Sequence, residues 1–506
     1  MNNRSGNQHS ATQDTKQGAI SPRKLMTALL APLFMALMAI SVVNVALTPI
    51  AASLVASNSQ AQWIVSGYAL AFGVPLVAAG RIGDATGRRR MFIIGVGLFT
   101  LGSLLSALAP SIAVLIAARV LQGFGAGLFN PQTTGIIQQN FQGQARARAY
   151  GMFGTTVAVA TVFGPMMGGF LIQLFGEALG WRLMFLINVP IGLATMFFSL
   201  RWIPADQPTT KNTRKQLDLD PIGMTTMAVA TLAILFPFVQ RGSNPWIWAV
   251  LLGGLALLWF FVHWEKRYKA RKRPPMLDID MVRDPAFRNG ILIVTLYFLG
   301  NTSVWLIVPI YAQTHLGMSA LGAAALTIPS SLISAFAAPW AGRHVLGMGR
   351  SIVIWGFAIS IVSIAATMLA ITPVENGQIS VWVLAATLFG LGIGSGMVIS
   401  PNQTLTLASV SPEISGTAGG VLSLGQRMGT AIGTATIPSI MFALVEGGFH
   451  WNVGATAAFG AILTTLTIGL AITIADRRRE TTTLQRTKLE GQPEPGQPIG
   501  VGVHSA

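Results

Sequence analysis

The sequence contains no cysteine, and only 10% of its 506 residues are charged. Without cysteine, the chain cannot form a disulfide, a thiolate metal site or a cysteine nucleophile. Soluble domains have roughly a quarter of their residues charged, so this composition excludes an ordinary water-soluble protein. Acidic residues are especially scarce, with 17 Asp and Glu against 33 Lys and Arg. Each acidic residue is therefore a candidate for a specific role.

Motifs of catalysis and of ATP use are missing as well. The sequence has no G-x-x-x-x-G-K-[ST] phosphate-binding loop, which excludes an ATP-driven pump within this chain. Its six histidines have no metal-ligand spacing, and the apolar segments contain no Ser/His/Asp set. We therefore expect no cofactor, no metal and no enzymatic activity.

Long apolar runs dominate what is present. Hydrophobic residues make up 52% of the chain, and the mean hydropathy is +0.59. Uncharged runs of about 18 residues or more can cross a hydrocarbon core about 30 Å thick, and they must be helical to satisfy their backbone. The sequence predicts an all-α polytopic membrane protein. Its fourteen predicted transmembrane helices are 25–47, 63–80, 91–109, 112–132, 149–172, 182–200, 221–239, 246–264, 289–311, 320–341, 351–372, 380–402, 416–443 and 453–475.

Basic residues are distributed unevenly between the predicted connections. The connection 81–90 contains four arginines and 265–288 contains eight basic residues, whereas 48–62 has no charge. This positive-inside pattern places both termini in the cytoplasm, within a multi-pass protein of the cell membrane. Nucleic-acid binding is a poor explanation of the net charge of +16, because the basic residues are spread over short loops. The run 266–273 is either a plain cytoplasmic loop or also a contact with anionic headgroups.

The orientation can be tested directly because there is no native cysteine to remove. Single cysteines replacing Ser57, Glu177 or Asn376 should react with an impermeant maleimide from outside. Those replacing Ala85 or Thr210 should react only from inside. Labelling at Ala85→Cys in intact cells would overturn the predicted orientation.

An internal repeat lies in the loops. AGRIGDATGRRR (79–90) and AGRHVLGMGRSI (341–352) share Ala, Gly, Arg, Gly and Arg at a constant offset, and PQTT (131–134) resembles PNQT (401–404). The pattern predicts two parallel six-helix repeats with two helices inserted between them, an arrangement in which substrate binds between the halves. The predicted divisions are a disordered cytoplasmic tail (1–24), an N-terminal bundle (25–200), a linker with two inserted helices and a basic loop (201–288), a C-terminal bundle (289–475) and a second disordered tail (476–506).

The densest group of charges is GRIGDATGRRR at 80–90. Gly80 and Gly87 allow close backbone packing or a positive φ. Asp84 can accept hydrogen bonds at the N-terminus of a neighbouring helix, and Arg88 can reach a carboxylate with two nitrogens. Arg89 helps to hold the loop in the cytoplasm. A loop that only set topology would not need the glycines or the aspartate, so we predict a latch that holds two bundles together.

This loop resembles the signature G-x-x-x-D-x-x-G-R-[RK]-x of the major facilitator superfamily. RVLQGFGAG (119–127) resembles the fourth-span motif of that family, and AVATVFGPMMGG (158–169) the fifth-span antiporter motif, with Ala160 in place of its first glycine. WRLMFLINVPIG (181–192) and AQWIVSGYAL (61–70) are similar to the fourteen-span drug/proton antiporter branch. The resemblance covers nearly all of 25–475. It implies two pseudo-symmetric bundles that give alternating access in a monomer, with a small-molecule substrate and protons as partners.

Individual residues acquire roles from this resemblance. Arg119, together with Asp84, takes part in proton coupling, and a structural arginine bonded to helix carbonyls is the alternative. The antiporter motif, which is expected to shape the bundle interface, consists of Gly164, Pro165, Gly168 and Gly169.

Further candidates are the polar side chains within the spans, which line the substrate cavity or only hydrogen-bond between helices. They are Asn44, Tyr68, Gln122, Asn130, Gln132, Asn188 and Arg427.

One departure from the family bears on the substrate. Relatives have an acidic residue in the first span, in a pattern like L-D-x-T-I-V-N-V-A-L-P, whereas MAISVVNVALT (38–48) has Ala39 there. Arg119 and Arg427 are then the charged residues in the middle of the spans, and they would repel cations at low dielectric. We expect neutral or anionic amphiphiles to be preferred over dicationic drugs. Alternatively, Ala39 has no consequence and aromatic faces bind monovalent cations.

Three functions are compatible with these features. The first is a secondary exporter of drugs or lipophilic small molecules, coupled to proton influx. The second is an exporter of one native metabolite, such as an amino acid derivative or a diamine. The third, a polytopic membrane enzyme, would need paired acids or a histidine cluster near one face, and the sequence shows neither.

Overall fold

The computed structural model describes residues 21–206, 219–240 and 246–490, and almost all of them are helical. The helices are α1 (Pro22–Ser53), α2 (Asn58–Gly73), α3 (Leu76–Thr86), α4 (Arg88–Ala107), α5 (Ile112–Asn140), α6 (Gly143–Leu186), α7 (Asn188–Trp202), α8 (Pro221–Gln240), α9 (Trp246–Ala270), α10 (Ile279–Arg283), α11 (Pro285–Thr314), α12 (Ala320–Ala325), α13 (Ile328–Met348), α14 (Arg350–Glu375), α15 (Trp382–Ala408), α16 (Ser415–Glu446) and α17 (Trp451–Glu490). A 3-10 turn, Pro412–Ile414, precedes α16.

The described chain has 12 stretches that are long and apolar enough to cross a membrane, or up to 13 if the bent pair α2–α3 is one span. One of the 12, Gly143–Trp202, has 60 residues, about twice the length that one crossing needs. Its helix α6 is broken at Gly176, where φ is 76°. A Cβ on Gly180 would lie 2.7 Å from the Cα of Ile172, so the chain folds back beside itself after the break. Counting the α2–α3 pair as one span gives 13, and counting Gly143–Trp202 as two spans would then give the fourteen that the sequence predicts. That number stays a prediction.

Capping explains why α2 begins before the predicted residue 63. Ser57 Oγ accepts a hydrogen bond from Gln60 N at 3.3 Å, and Gln60 Oε1 accepts one from Ser57 N at 2.9 Å. This reciprocal pair satisfies N–H groups that the first turn of a helix leaves without partners. The helix therefore starts at Asn58, within a connection that hydropathy alone predicts to be a loop.

The C-terminal boundary needs a correction. The predicted disordered tail, 476–506, begins inside a helix, because α17 continues to Glu490. Asp476 is buried, its Oδ2 lies 2.7 Å from Arg350 Nε, and its Oδ1 accepts from Asn289 Nδ2 at 2.7 Å. These contacts attach the turn after residue 475 to the C-terminal bundle. Residues 491–506, and residues 1–20 of the predicted N-terminal tail, lie outside the described part of the chain.

Two bundles and an inserted pair account for the packing. In the N-terminal bundle, α1 packs on α6, and α5 packs on α2 and α4. In the C-terminal bundle, α11 packs on α16 and α17, and α15 packs on α13 and α14. The bundles meet where α16 lies against α3 and α5, and where α6 lies against α13 and α15. The inserted helices α8 and α9 pack on each other, and α8 also contacts α2, α3 and α16.

The two halves share their local geometry at the repeated loop. Gly87, between α3 and α4, and Gly349, between α13 and α14, both have positive φ, 120° and 54°. Arg88 and Arg350 both follow that glycine, and both are buried in ion pairs. The offset that aligns these residues places Leu346 opposite Asp84, and Leu346 is 51% exposed. The repeat is therefore asymmetric, because the second half has no carboxylate at this position.

Candidate functional site

Asp84 of α3 lies at the N-terminus of α16, which belongs to the other bundle. Its Oδ1 accepts from Gly416 N at 3.0 Å, and its Oδ2 accepts from Thr417 N and Thr417 Oγ1, both at 2.8 Å. The first N–H groups of a helix have no partner within the helix, and the helix dipole favours a negative charge beside them. Asp84 therefore ties the two bundles together at the end that contains the α3–α4 connection, which we call the loop end.

Arg88 extends this contact. Its Nε and Nη2 lie 2.9 Å and 2.7 Å from the same oxygen, Asp84 Oδ1. Its Nη1 donates to Gly135 O at 2.9 Å, and Nη2 donates to the carbonyls of Pro412 and Glu413, just before α16. Two nitrogens of Arg88 thus reach the carboxylate and share one oxygen, while Thr417 donates to the other oxygen of Asp84. Arg88 thus joins α3, α5 and the start of α16.

Glycines make the close approach at the loop end possible. A Cβ on Gly80 would lie 2.4 Å from Gly416 O, so α3 and α16 can touch only without a side chain there. Gly87 has a left-handed φ of 120°, and a Cβ on it would lie 2.4 Å from Asp206 Oδ2. Asp206 accepts from Arg89 N at 3.0 Å and from Arg90 N at 3.1 Å, so it caps α4. Asp206 is not predictable from the sequence, because no local motif connects it to a helix more than 100 positions earlier.

Arg119 is fully buried inside the N-terminal bundle. Its Nε donates to Ile64 O at 3.1 Å, and its Nη1 donates to Gln122 Oε1 at 2.6 Å. Its guanidinium carbon lies 4.1 Å from the ring centroid of Tyr68. Nη2 has no hydrogen-bond partner within the described chain. The contact with a helix carbonyl fits the hypothesis of a structural arginine. The donor that no described residue satisfies fits the hypothesis of a role in proton coupling.

Arg427 of α16 reaches across the bundle interface. Its guanidinium carbon lies 4.0 Å from the ring centroid of Phe72 in α2. The rings of Phe72 and Tyr68 meet edge to face at 6.0 Å, and Arg119 lies over Tyr68. Two cations from different bundles therefore flank one pair of aromatic rings, which we call the central aromatic pair.

The other predicted cavity residues fall into two groups. Asn130 lies at the interface, where its Oδ1 accepts from Ser423 Oγ of the C-terminal bundle at 3.2 Å. The rest are buried within the N-terminal bundle, where Tyr68 donates to Ala36 O, Gln122 to Ser103 Oγ, Gln132 to Ala79 O and Asn188 to Met184 O. Interhelical hydrogen bonding, the alternative hypothesis, describes Tyr68, Gln122 and Gln132 well. The side chain of Asn44 lies outside the described residues.

The antiporter motif packs within its own bundle. A Cβ on Gly164 would lie 2.0 Å from Ser41 Oγ, and one on Gly168 would lie 3.0 Å from Val42 Cγ2, so both glycines face α1. Gly169 has no neighbour within 4 Å, and α6 continues through Pro165 with helical φ and ψ. Contacts of α6 with the other bundle instead use earlier glycines, since a Cβ on Gly154 would lie 2.9 Å from Ala338 Cβ. The expectation that this motif forms the bundle interface is therefore not met at Gly164 and Gly168.

Between α6 and the C-terminal bundle lies a small pocket of about 60 Å³. Its polar lining comes from Ser330, Ser331, Ser334, Asn301 and Ser395. Ser330 Oγ is buried without a hydrogen-bond partner in the described chain. Serines at this spacing are typical of ordinary helix packing, so the sequence gives no signal for the pocket.

An acidic pair on the inserted helices was also missed. Asp220 and Glu265 are both buried, and a Cβ on Gly223 would lie 2.4 Å and 2.5 Å from oxygens of the two. Asp220 Oδ1 accepts from Gly223 N at 3.0 Å and from Trp264 Nε1 at 3.0 Å. The Asp-Pro sequence that opens α8 is a helix-start signal, which could have identified Asp220 as a cap. The pair lies where α8 begins and α9 ends, apart from the contacts between the bundles.

Two helical bundles thus meet through a polar contact at one end, with Arg119 buried inside the N-terminal bundle and Arg427 at the interface. The sequence profile of the Major Facilitator Superfamily matches residues 29–434. The chain belongs to this superfamily. It is accordingly a multi-pass membrane transporter, as the loop signature predicts.

Individual relatives agree with this assignment. A probable actinorhodin transporter of Streptomyces coelicolor is 34% identical over 412 residues, which cover 80% of this chain and 70% of that protein. The multidrug resistance protein Stp of Mycobacterium tuberculosis is 28% identical over 423 residues, covering 81% and 74%. The crystal structure of the human organic anion transporter MFSD10 superposes with a TM-score of 0.64 at 15% identity, over 90% of this chain and 99% of that one. The last similarity concerns the fold alone.

Proposed function

We propose that this transporter is a secondary exporter of drugs or other lipophilic small molecules, driven by proton influx through alternating access. The observation that carries the proposal is the contact of Asp84 with the N-terminus of α16, because it joins the two bundles at one end through polar groups that can separate. The similarity to a probable actinorhodin transporter and to a multidrug resistance protein supports the proposal.

The hydrogen bonds between the bundles extend from the loop end to about the middle of the helices. They include Asp84 with Thr417, Gln144 Nε2 with Arg343 O at 2.6 Å, and Asn130 with Ser423. In the orientation that the basic residues predict, the loop end is cytoplasmic. The structure then represents a state that is closed to the cytoplasm, and export requires these bonds to break.

Asp84 and Arg119 are the groups that we propose for proton coupling. A proton on Asp84 would remove the charge that pairs with Arg88 and with the α16 N-terminus, and would weaken the closed state. Arg119 of α5 lies over the ring of Tyr68, five residues before α2 ends at Gly73. The next helix, α3, carries Asp84, so both groups contact or belong to the bent α2–α3 pair.

Export of one native metabolite is the second candidate. The observation in its favour is the pocket beside α6, which is lined by serine hydroxyls and by Asn301, groups that form directional hydrogen bonds with a specific ligand. A transporter for one metabolite should protect cells against that compound and against few others.

Export should be visible in cells that lack their own efflux pumps. Expression of the chain should lower the accumulation of several unrelated lipophilic compounds by several-fold, and a protonophore should abolish the effect. In proteoliposomes, an imposed pH gradient should drive uptake of the same compounds. Protection against a single compound would favour the metabolite exporter, and accumulation that is insensitive to both protein and protonophore would contradict the proposed function.

A further inference from the structure

Arg427 is a cation without an anionic partner at the bundle interface. Its contact is the face of Phe72, at 4.0 Å, and within the described chain it has neither a hydrogen-bond acceptor nor a carboxylate. A ring face supplies about 0.5–2 kcal/mol for a cation, so it replaces only part of the hydration that a guanidinium loses when it leaves water. A guanidinium has five N–H donors, and the aromatic ring accepts none of them in a planar hydrogen bond.

The depth of Arg427 fits a substrate site. It follows Gly416, at the closed loop end, by eleven positions, which is about 16 Å along a helix. That distance is about half of a 30 Å hydrocarbon core, the depth at which transporters of this architecture bind substrate. Phe72 and Arg427 belong to different bundles, so their contact must change when the bundles move apart.

Positive charge at this depth has no acidic counterpart among the described residues. Arg119 lies on the other side of the central aromatic pair, with Nη2 unsatisfied. Ala39 of the first span is buried in the same core cluster as Tyr68 and Phe72 and contributes no negative charge there.

Three carboxylates of the two bundles have partners other than Arg427. Asp84 binds the start of α16, Asp476 binds Arg350, and Glu375 lies 2.8 Å from His315. None of these contacts involves Arg427, so no carboxylate in the described part of the chain neutralises the positive charge at mid-depth.

We propose that the transported molecule is an organic anion, and that Arg427 binds its carboxylate or sulfonate while its apolar body lies against Phe72. The proposal rests on the proposed export function and assigns its substrate class. A guanidinium binds two oxygens of a carboxylate or sulfonate through two parallel hydrogen bonds, which an aromatic face cannot offer it. Arg119 is fully buried, so it contributes positive potential, whereas the half-buried Arg427 makes the contact.

Three probes with one fluorophore test the charge preference. Dansylglycine is anionic at neutral pH, dansylamide is neutral and dansylcadaverine is cationic. Wild-type protein in nanodiscs should bind dansylglycine about tenfold more tightly than dansylamide, a difference of about 1.4 kcal/mol. It should bind dansylcadaverine most weakly. Equal affinities, a preference for the cation, or no binding of dansylglycine would overturn the proposal.

Substitutions test whether Arg427 causes the preference for the anionic probe. Arg427→Gln should bring the affinity for dansylglycine to within about twofold of that for dansylamide. Arg427→Lys should keep part of the preference, because it keeps the charge but not the fork. Arg288→Gln, the same change at an exposed position, is the matched control. An undiminished preference in Arg427→Gln would show that another group binds the anion.

Transport measurements separate this inference from the proposed function. Proteoliposomes that move dansylamide and dansylcadaverine in a pH gradient as fast as dansylglycine would contradict the anion site and leave the exporter intact. Anion-selective binding without gradient-driven transport of any probe would support the site and contradict the exporter.

Discussion

Replacing Asp84 with Asn should lower transport at least about tenfold, with little change in the amount of protein in the membrane. Asp84 accepts three hydrogen bonds from Gly416 and Thr417 and pairs with Arg88 at 2.7 Å. Hydrogen bonds to a charged group contribute about 1.5–3 kcal/mol each, and every 1.4 kcal/mol is a factor of ten. A neutral amide keeps the shape but loses the charge that the helix N-terminus favours. Membrane insertion depends on the arginines, which the substitution leaves in place.

The equilibrium between the closed and the open loop end can be measured as well as the transport rate. Ser423 is buried at the interface beside Asn130, so a cysteine there should be protected while the loop end is closed. Combined with Asp84→Asn, Ser423→Cys should react faster with a maleimide applied from the cytoplasmic side. Asp280→Asn, at an exposed carboxylate that binds Lys269, is the control. Wild-type transport and labelling rates in Asp84→Asn at matched protein levels would disprove the latch.

The sequence predicts the helices well because the cause is local. A run of apolar residues must be helical in a bilayer whatever surrounds it, so most spans lie within a few residues of their predicted positions. The errors occur where polar contacts move a boundary, as Gln60 does for α2 and Asp476 does for α17. Capping and ion pairing depend on single side chains, which average hydropathy does not detect.

The latch could be predicted only on one side. The spacing of Gly80, Asp84 and Gly87 predicts a carboxylate at a helix N-terminus, but not which helix. Its partner Thr417 lies 333 positions later, in a glycine-rich segment without any charge. The cavity candidates show the same limit, because a polar residue in a span faces either a neighbouring helix or the other bundle. Gln132 and Asn130 are two positions apart, and only Asn130 bonds across the interface.

Substitutions of Arg119 can separate its two proposed roles, proton coupling and a purely structural contact. Both Arg119→Ala and Arg119→Lys should lower transport at least about tenfold, because an ammonium cannot reach Ile64 O and Gln122 Oε1 while covering the ring of Tyr68. Each buried polar group left without a partner costs about 1–3 kcal/mol, and two such groups are at stake. Rates in proteoliposomes at matched protein levels give the comparison. Arg201→Lys, at an exposed arginine, should be indistinguishable from wild type.

The pH dependence of the remaining activity distinguishes coupling from structure. If Arg119 only holds α2 and α5 together, Arg119→Lys should have a lower melting temperature, and its residual transport should respond to a pH gradient as wild type does. If Arg119 takes part in coupling, the variant should still bind substrate and exchange it across the membrane, while an imposed pH gradient no longer accelerates uptake. The unsatisfied Nη2 and the absence of a carboxylate beside Arg119 in the described chain favour the second result, since a purely structural arginine would be expected to use all of its donors. Full gradient-driven transport by Arg119→Lys would show that a positive charge alone suffices at this position.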